Sequence, residues 1–295
     1  MLSEAKHPIP NGLYLSQLLY TADEGSELMQ LERLLLHLKL DGWCVVEDVI
    51  PADQVEHVRQ SVEAAVAEHR NPAAPSGIGH LPAMINFDQS FAPFLADENF
   101  LALVGAMLGH HPRISFTTGT INYPGNERGG WHADWPFNQN NAGHIPAPYP
   151  DATVHLTTLW MLAPFTEENG GTLLVPGSHR SSNNPTGDNG VDPLAPYPTE
   201  VNACGPAGSV LVLDSRLWHA TAPNRSHEPR TSVVVRYAPW WLNVEVLRPG
   251  SDERRRLSEE TGLKENAVPS LPADVFADLP TPVQPLFRHW VARPE

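Results

Sequence analysis

The chain has 295 residues and a formal charge of −15, from 19 Lys+Arg against 34 Asp+Glu. That balance argues against nucleic acid or an anionic membrane surface as the main partner, because both recruit basic faces. Thirty prolines and 21 glycines with only 18% charged residues exclude a coiled coil and describe many short elements joined by turns.

Between residues 28 and 40 the leucines Leu31, Leu34, Leu35 and Leu38 recur at helical spacing, and Asp41-Gly42 stops the helix. Trp43-Cys44-Val45-Val46 then reads as a short buried strand. Pro51 opens a second helix, whose Val55, Val58, Val62, Ala65 and Val66 form one apolar stripe. A third helix is expected near residues 98–108. Beyond His111-Pro112 the pattern changes to strands separated by Gly/Pro/Asn turns, and it stays mostly β from Ile114 to about Tyr237. Two polar, Pro-rich stretches inside that region, 138–151 and 178–199, are long enough to be lids or binding loops.

No run approaches the roughly 18 apolar residues of a membrane span, and the first residues, MLSEAKHPIP, lack a secretory layout, so a cytoplasmic protein is expected. Cys44 and Cys204 cannot supply a disulfide framework and are expected to be small buried hydrophobes. No GxGxxG or GxxxxGK[ST] supports a nucleotide-phosphate cradle.

Trp131-His132-Ala133-Asp134 contains a His-x-Asp. On a strand both side chains face one way, where imidazole and carboxylate can share a metal. In a chain with 14 histidines this triplet alone carries little weight. A second cluster strengthens it: the strand after Gly208 delivers His219 beside Trp218, and Arg230 follows eleven residues later at the head of another β-rich run. Two histidines and one carboxylate make a facial triad that leaves positions on ferrous iron for a bidentate ligand and dioxygen. An arginine then suits the far carboxylate of a keto-acid cosubstrate, through two parallel hydrogen bonds.

From about Asp41 to Tyr237 the chain resembles the phytanoyl-CoA dioxygenase family of iron- and 2-oxoglutarate-dependent oxygenases, in these clusters and in the segment from Glu168-Asn169-Gly170-Gly171 to His179. The resemblance implies that His132, Asp134 and His219 bind Fe(II), that Arg230 binds 2-oxoglutarate, and that Thr221 assists it. It also implies that Asn122 and Trp160 line the cosubstrate pocket. No catalytic residue beyond the metal ligands is expected. Strand alternation puts Arg236 on the face of Arg230, where it can meet a substrate anion, and Trp135 and Phe137 are candidate aromatic walls for an organic substrate. His110, His111, His144, His155 and His179 are expected not to be ligands.

The fold expected is mainly β, a double-stranded β-helix (jelly roll) with flanking helices, forming one oxygenase domain over 1–295. It divides into a mainly helical flank with a short strand (1–112), a jelly-roll core (113–240) and a C-terminal helical flank (241–295). The resemblance implies hydroxylation of a small organic metabolite using Fe(II), 2-oxoglutarate and O2, with release of succinate and CO2. Related halogenases replace the carboxylate ligand with a small residue, so Asp134 points to hydroxylation, although desaturation, ring formation and epimerisation use the same ligands. Two rivals remain open: a non-catalytic jelly-roll binding protein, and a zinc hydrolase built on the same triad. Neither the substrate nor the oligomeric state can be read from the residues.

Overall fold

The computed structural model describes residues 22–70, 75–182, 185, 190–263 and 267–293, with side chains from residue 30 onward. Among the described residues, three helices of more than ten residues and two antiparallel sheets dominate the fold. The helices are α1 (Ala22–Leu40), α2 (Ala52–His69) and α3 (Glu98–Leu108). The strands are β1 (Trp43–Val46), β2 (Ile78–Pro82), β3 (Arg113–Asn122), β4 (Leu156–Met161), β5 (Thr172–Leu174), β6 (Val201–Ala203), β7 (Val210–Asp214), β8 (His219–Thr221) and β9 (Arg230–Ala238). A six-stranded sheet runs β1-β7-β4-β9-β3-β2, and a three-stranded sheet runs β6-β5-β8.

The buried stripe of α2 is Val55, Val58, Val62, Ala65 and Val66, as the periodicity requires. It packs on the outer face of the large sheet, in one core with Trp160, Val212, Val233, Val235 and Tyr237. Polar contact supplements this packing, since Thr231 on β9 donates to Glu63 on α2 at 2.6 Å. The inner face of the same sheet meets the small sheet. At one end that interior is apolar, with Leu159, Met161, Leu211 and Leu213 against Leu174, Ala203 and Phe165; at the other it is polar and hollow.

Strand parity explains the division. On β9, Arg230, Ser232, Val234 and Arg236 line the hollow, while Val233, Val235 and Tyr237 enter the helical core.

The N-terminal part is less separable than its sequence suggests. β1 pairs with β7 and β2 pairs with β3, so both edge strands of the large sheet come from before residue 113. β2 is the strand missed in the sequence, where Ile78-Gly79-His80-Leu81-Pro82 mixes strand formers with Gly and Pro. Beyond β9 the chain forms short turns of helix, including Ala273–Asp278 and Gln284–Phe287. Cys44 is buried as expected, but Cys204 is exposed just past the end of β6. No helix among the described residues is long and apolar enough to cross a membrane.

The C-terminal flank carries a pH-sensitive element. Both ring nitrogens of His289 are buried without a hydrogen-bond partner among the described residues. Burial, followed by the nearby Arg113 and Arg248 charges, pulls its pKa to about 3. An unfolded histidine takes up a proton near pH 6.5, whereas this one resists, so its contribution to stability is full above pH 6.5 and falls away as pH drops toward 3. In urea unfolding at pH 7.5 and pH 5.5, His289→Gln should reduce the acid-induced loss of stability by about 1 kcal/mol; an unchanged loss would contradict the assignment.

Candidate active site

His132, Asp134 and His219 converge. One ligand atom from each lies within 4.8 Å of the others, and His132 Nε2 and His219 Nε2 stand 4.0 Å and 3.6 Å from the Asp134 carboxylate oxygens. The segment carrying His132 is no regular strand, contrary to the sequence reading. It meets β8 through an isolated bridge, in which His132 N donates to His219 O and His219 N donates to His132 O, both at 3.0 Å, and through Gly129 N, which donates to Thr221 O at 2.9 Å. Asp134 is set by its own N–H, which donates to Ser215 O at 2.9 Å.

Each histidine has a fixed tautomer. His132 Nδ1 donates to Gly130 O at 3.0 Å and His219 Nδ1 to Leu217 O at 2.9 Å, because a carbonyl can only accept. Both Nε2 lone pairs therefore face the space between the rings, the orientation that metal-binding imidazoles need. Burial, with the neighbouring His132, lowers the His219 pKa to about 4, so its ring is a neutral donor at pH 7. Burial alone would raise the Asp134 carboxyl, but Arg236, the two histidines and a hydrogen bond from Thr157 hold it well below the usual carboxylate range.

The triad opens on a cavity of about 170 Å3 whose lining also includes Thr221, Arg230 and Arg236. Arg230 is 3% exposed, its Nε and Nη1 have no hydrogen-bond partner, and no carboxylate pairs with it among the described residues. Its guanidinium rests over the Phe165 ring at 4.2 Å. Burial pulls its pKa down to about 10, which still leaves it charged at neutral pH. A buried, unpaired cation facing a cavity is a site built for a carboxylate. Two buried hydroxyls in the same lining, those of Thr118 and Ser232, also lack partners.

Trp160, Asn122, Trp135 and Phe137 depart from the sequence expectations, and Arg236 meets its own only in part. Trp160 is fully buried on the helical side, edge-on to Phe100 with ring centroids 5.0 Å apart and its Nε1 donating to Thr158, so it does not line the cavity. Replacement of Trp160 by phenylalanine should lower stability by about 1–3 kcal/mol while leaving the KM for 2-oxoglutarate unchanged; a selective rise in that KM at unchanged stability would restore the first reading. Asn122 stands opposite Arg230, yet its amide donates to the Gly170 and Ala222 carbonyls and accepts from Asn126, which makes it a tie between loops. Trp135 packs with Phe116, Val246 and Trp290, and Phe137 with Ala133 and Val154; neither lines the cavity. Arg236 does line it, but its Nη2 donates to Asp134 Oδ1 at 2.8 Å, so its first partner is the triad carboxylate.

His80 of β2, Thr120 of β3 and Thr157 of β4 belong to the cavity and escaped the sequence reading. A parity count from Arg230 finds Ser232, but nothing in the sequence pairs β2 with β3. The two long loops are tethered: the Pro150 carbonyl accepts from Arg216, and Pro193 and Ala195 accept from the backbone and indole of Trp131.

Residues 38–232, about two thirds of the chain, match the family model described as phytanoyl-CoA dioxygenase (PhyH). The chain belongs to the phytanoyl-CoA dioxygenase family. Among its relatives is dioxygenase af480 of Aspergillus fumigatus, 27% identical over 257 residues, which are 82% of this chain and 76% of that one. Among solved structures, HygX from Streptomyces hygroscopicus with nickel, 2-oxoglutarate and hygromycin B bound is similar at TM-score 0.56 and 18% identity, covering 72% of this chain and 88% of that one. The epimerase SnoN in complex with Fe3+, alpha ketoglutarate and nogalamycin RO is similar at TM-score 0.56 and 21% identity, over 72% and 84% of the two chains. These similarities show a common fold, the jelly roll expected for the family.

Proposed function

We propose that this 2-oxoglutarate-dependent dioxygenase of the phytanoyl-CoA dioxygenase family hydroxylates a small organic metabolite. With ferrous iron, 2-oxoglutarate and O2 bound, such a site supplies oxidation of an unactivated C–H bond, coupled to conversion of 2-oxoglutarate to succinate and CO2. His132 and His219 would hold the metal through Nε2 and Asp134 through its carboxylate; two imidazole nitrogens and a carboxylate oxygen are a donor set that fits iron. Arg230 would clamp the far carboxylate of 2-oxoglutarate by two parallel hydrogen bonds, with the Thr221 hydroxyl beside it.

The observation that carries this reading is the unpaired Arg230 guanidinium, buried in the same cavity as the triad. A zinc hydrolase gives that charge no role, and a plain binding module gives none to the histidine tautomers. Arg236 and Thr157 keep the carboxylate ionised and oriented. Asp134 occupies the position that halogenases leave open, which favours hydroxyl transfer as the outcome.

The test is anaerobic reconstitution with Fe(II), followed by an aerobic succinate assay across a panel of small metabolites. Substrate-dependent succinate is expected from the wild type and not from His132→Ala or Arg230→Ala. Equal background release from all three would defeat the proposal.

A further inference from the structure

A buried chain of hydrogen bonds leads away from the metal site. Thr157 Oγ1 lies 2.6 Å from Asp134 Oδ2 and 3.0 Å from Ser215 Oγ. Ser215 Oγ lies 2.8 Å from His155 Nδ1, and His155 Nε2 lies 2.8 Å from Ser115 Oγ. All five residues are buried, and His155 and Ser215 are fully so.

The fold assembles this chain deliberately. Beyond the pair Leu156↔Asp214, the β4–β7 ladder continues for one step, where Ser215 N donates to His155 O at 3.2 Å. Ser115 is the extra residue of a β-bulge in β3, between the pairs Ile114↔Tyr237 and Phe116↔Arg236. A bulge re-aims a side chain, and here the hydroxyl meets the far nitrogen of His155.

Counting protons gives the chain a direction. Asp134 Oδ2 only accepts, so the single Thr157 proton goes to it. Ser215 must then donate to Thr157, which leaves Ser215 able only to accept from His155 Nδ1–H. Neutral His155 consequently accepts at Nε2 from Ser115, whose one proton takes this 2.8 Å contact in preference to the Arg236 carbonyl 3.3 Å away. Every donor points toward the metal-binding carboxylate.

We propose that His155 is a positioning residue for the iron site: as the Nδ1–H tautomer it sets the direction of the Ser215 and Thr157 hydroxyls, so that Thr157 always presents its proton to Asp134. This rests on the reading of Asp134 as a metal ligand. Burial, then the nearby Arg236 charge, lowers the His155 pKa to about 3, consistent with the neutral ring that the count requires. Arg236 grips the other carboxylate oxygen at 2.8 Å. Held from both sides, the carboxylate has one orientation before any metal arrives.

Two substitutions separate this from mere core filling. His155→Asn keeps an N–H donor where Nδ1–H stands, and His155→Leu removes it. Cobalt(II) serves as the probe, read by its affinity and its ligand-field absorption. The asparagine variant should bind within about 3-fold of the wild type with the same spectrum. The leucine variant should bind about 10–100-fold more weakly with an altered spectrum, the usual size of an outer-shell effect. Should it fail to fold, Ser215→Ala breaks the same chain and should weaken cobalt by about 10-fold.

Nitrogen-15 NMR of the metal-free wild type should report Nδ1–H at His155, and Nε2–H there would overturn the proposal. Wild-type affinity and spectrum in His155→Leu, or in Ser215→Ala where that stands in, would overturn it alone; failure of the wild type to bind cobalt would overturn it together with the metal-site reading.

Discussion

Replacement of Arg230 by methionine is expected to raise the melting temperature of the ligand-free protein while abolishing 2-oxoglutarate binding. The two effects share one cause. The wild-type guanidinium is 3% exposed with two unpaired nitrogens, so folding desolvates a charge without a counter-charge, offset only in part by Phe165 at 4.2 Å. An apolar side chain of similar length removes that cost, worth roughly 1–4 kcal/mol in comparable buried sites. A bound carboxylate loses its clamp, and removal of one partner from such a pair costs about 3–5 kcal/mol, or some 10^2–10^4-fold in affinity. Thermal unfolding with and without 2-oxoglutarate checks both. The wild type should gain stability from the ligand and Arg230→Met should not. A variant less stable than the wild type that still responds to 2-oxoglutarate would refute the account of this residue.

Asp134→Ala is expected to do damage beyond the loss of a ligand. Arg236 donates to Asp134 at 2.8 Å and its side chain is 18% exposed, so the single substitution strands a largely buried cation. The stability loss should be roughly 2–4 kcal/mol, somewhat below the figure for a fully buried pair because Arg236 retains some contact with water. The double variant Asp134→Ala/Arg236→Met should recover most of that stability and none of the metal binding. Urea unfolding and metal titration on the two single variants and the double variant give the coupling directly. Additive stability losses would show that the pair does not interact as its geometry implies.

The legible parts of this molecule were those where chemistry is local in the chain. Five apolar residues at helical spacing identified the buried face of α2, and His-x-Asp with a later histidine and arginine identified the residues that meet around the cavity. What escaped depends on pairings between distant strands. Thr157 and Trp160 sit in a strand whose every residue is buried, so no hydrophobic alternation shows that one faces the cavity and the other the helices. The family resemblance puts Trp160 in the cosubstrate pocket, and no pattern in the strand itself corrects that expectation. Arg236 shares the cavity face with Arg230, as alternation implied, but its partner Asp134 is 102 residues away and no spacing rule predicts the bond. His80 reaches the site only because β2 pairs with β3 at the edge of the sheet. Asn122, which the resemblance also puts in the pocket, stands opposite Arg230 in the sheet, but its amide is committed to loop carbonyls that no sequence pattern brings near it.

The central claim is that His132, Asp134 and His219 jointly bind one ferrous ion, with Arg230 anchoring 2-oxoglutarate beside it. Anaerobic titration of the protein with Fe(II) and 2-oxoglutarate, followed by the visible charge-transfer absorption of the ferrous keto-acid chelate, measures this most directly. The band should saturate at one iron and one 2-oxoglutarate per chain, and should be absent from His132→Ala, Asp134→Ala and His219→Ala at the same concentrations. A band of full intensity in any of those three variants, or none in the wild type, would contradict the account.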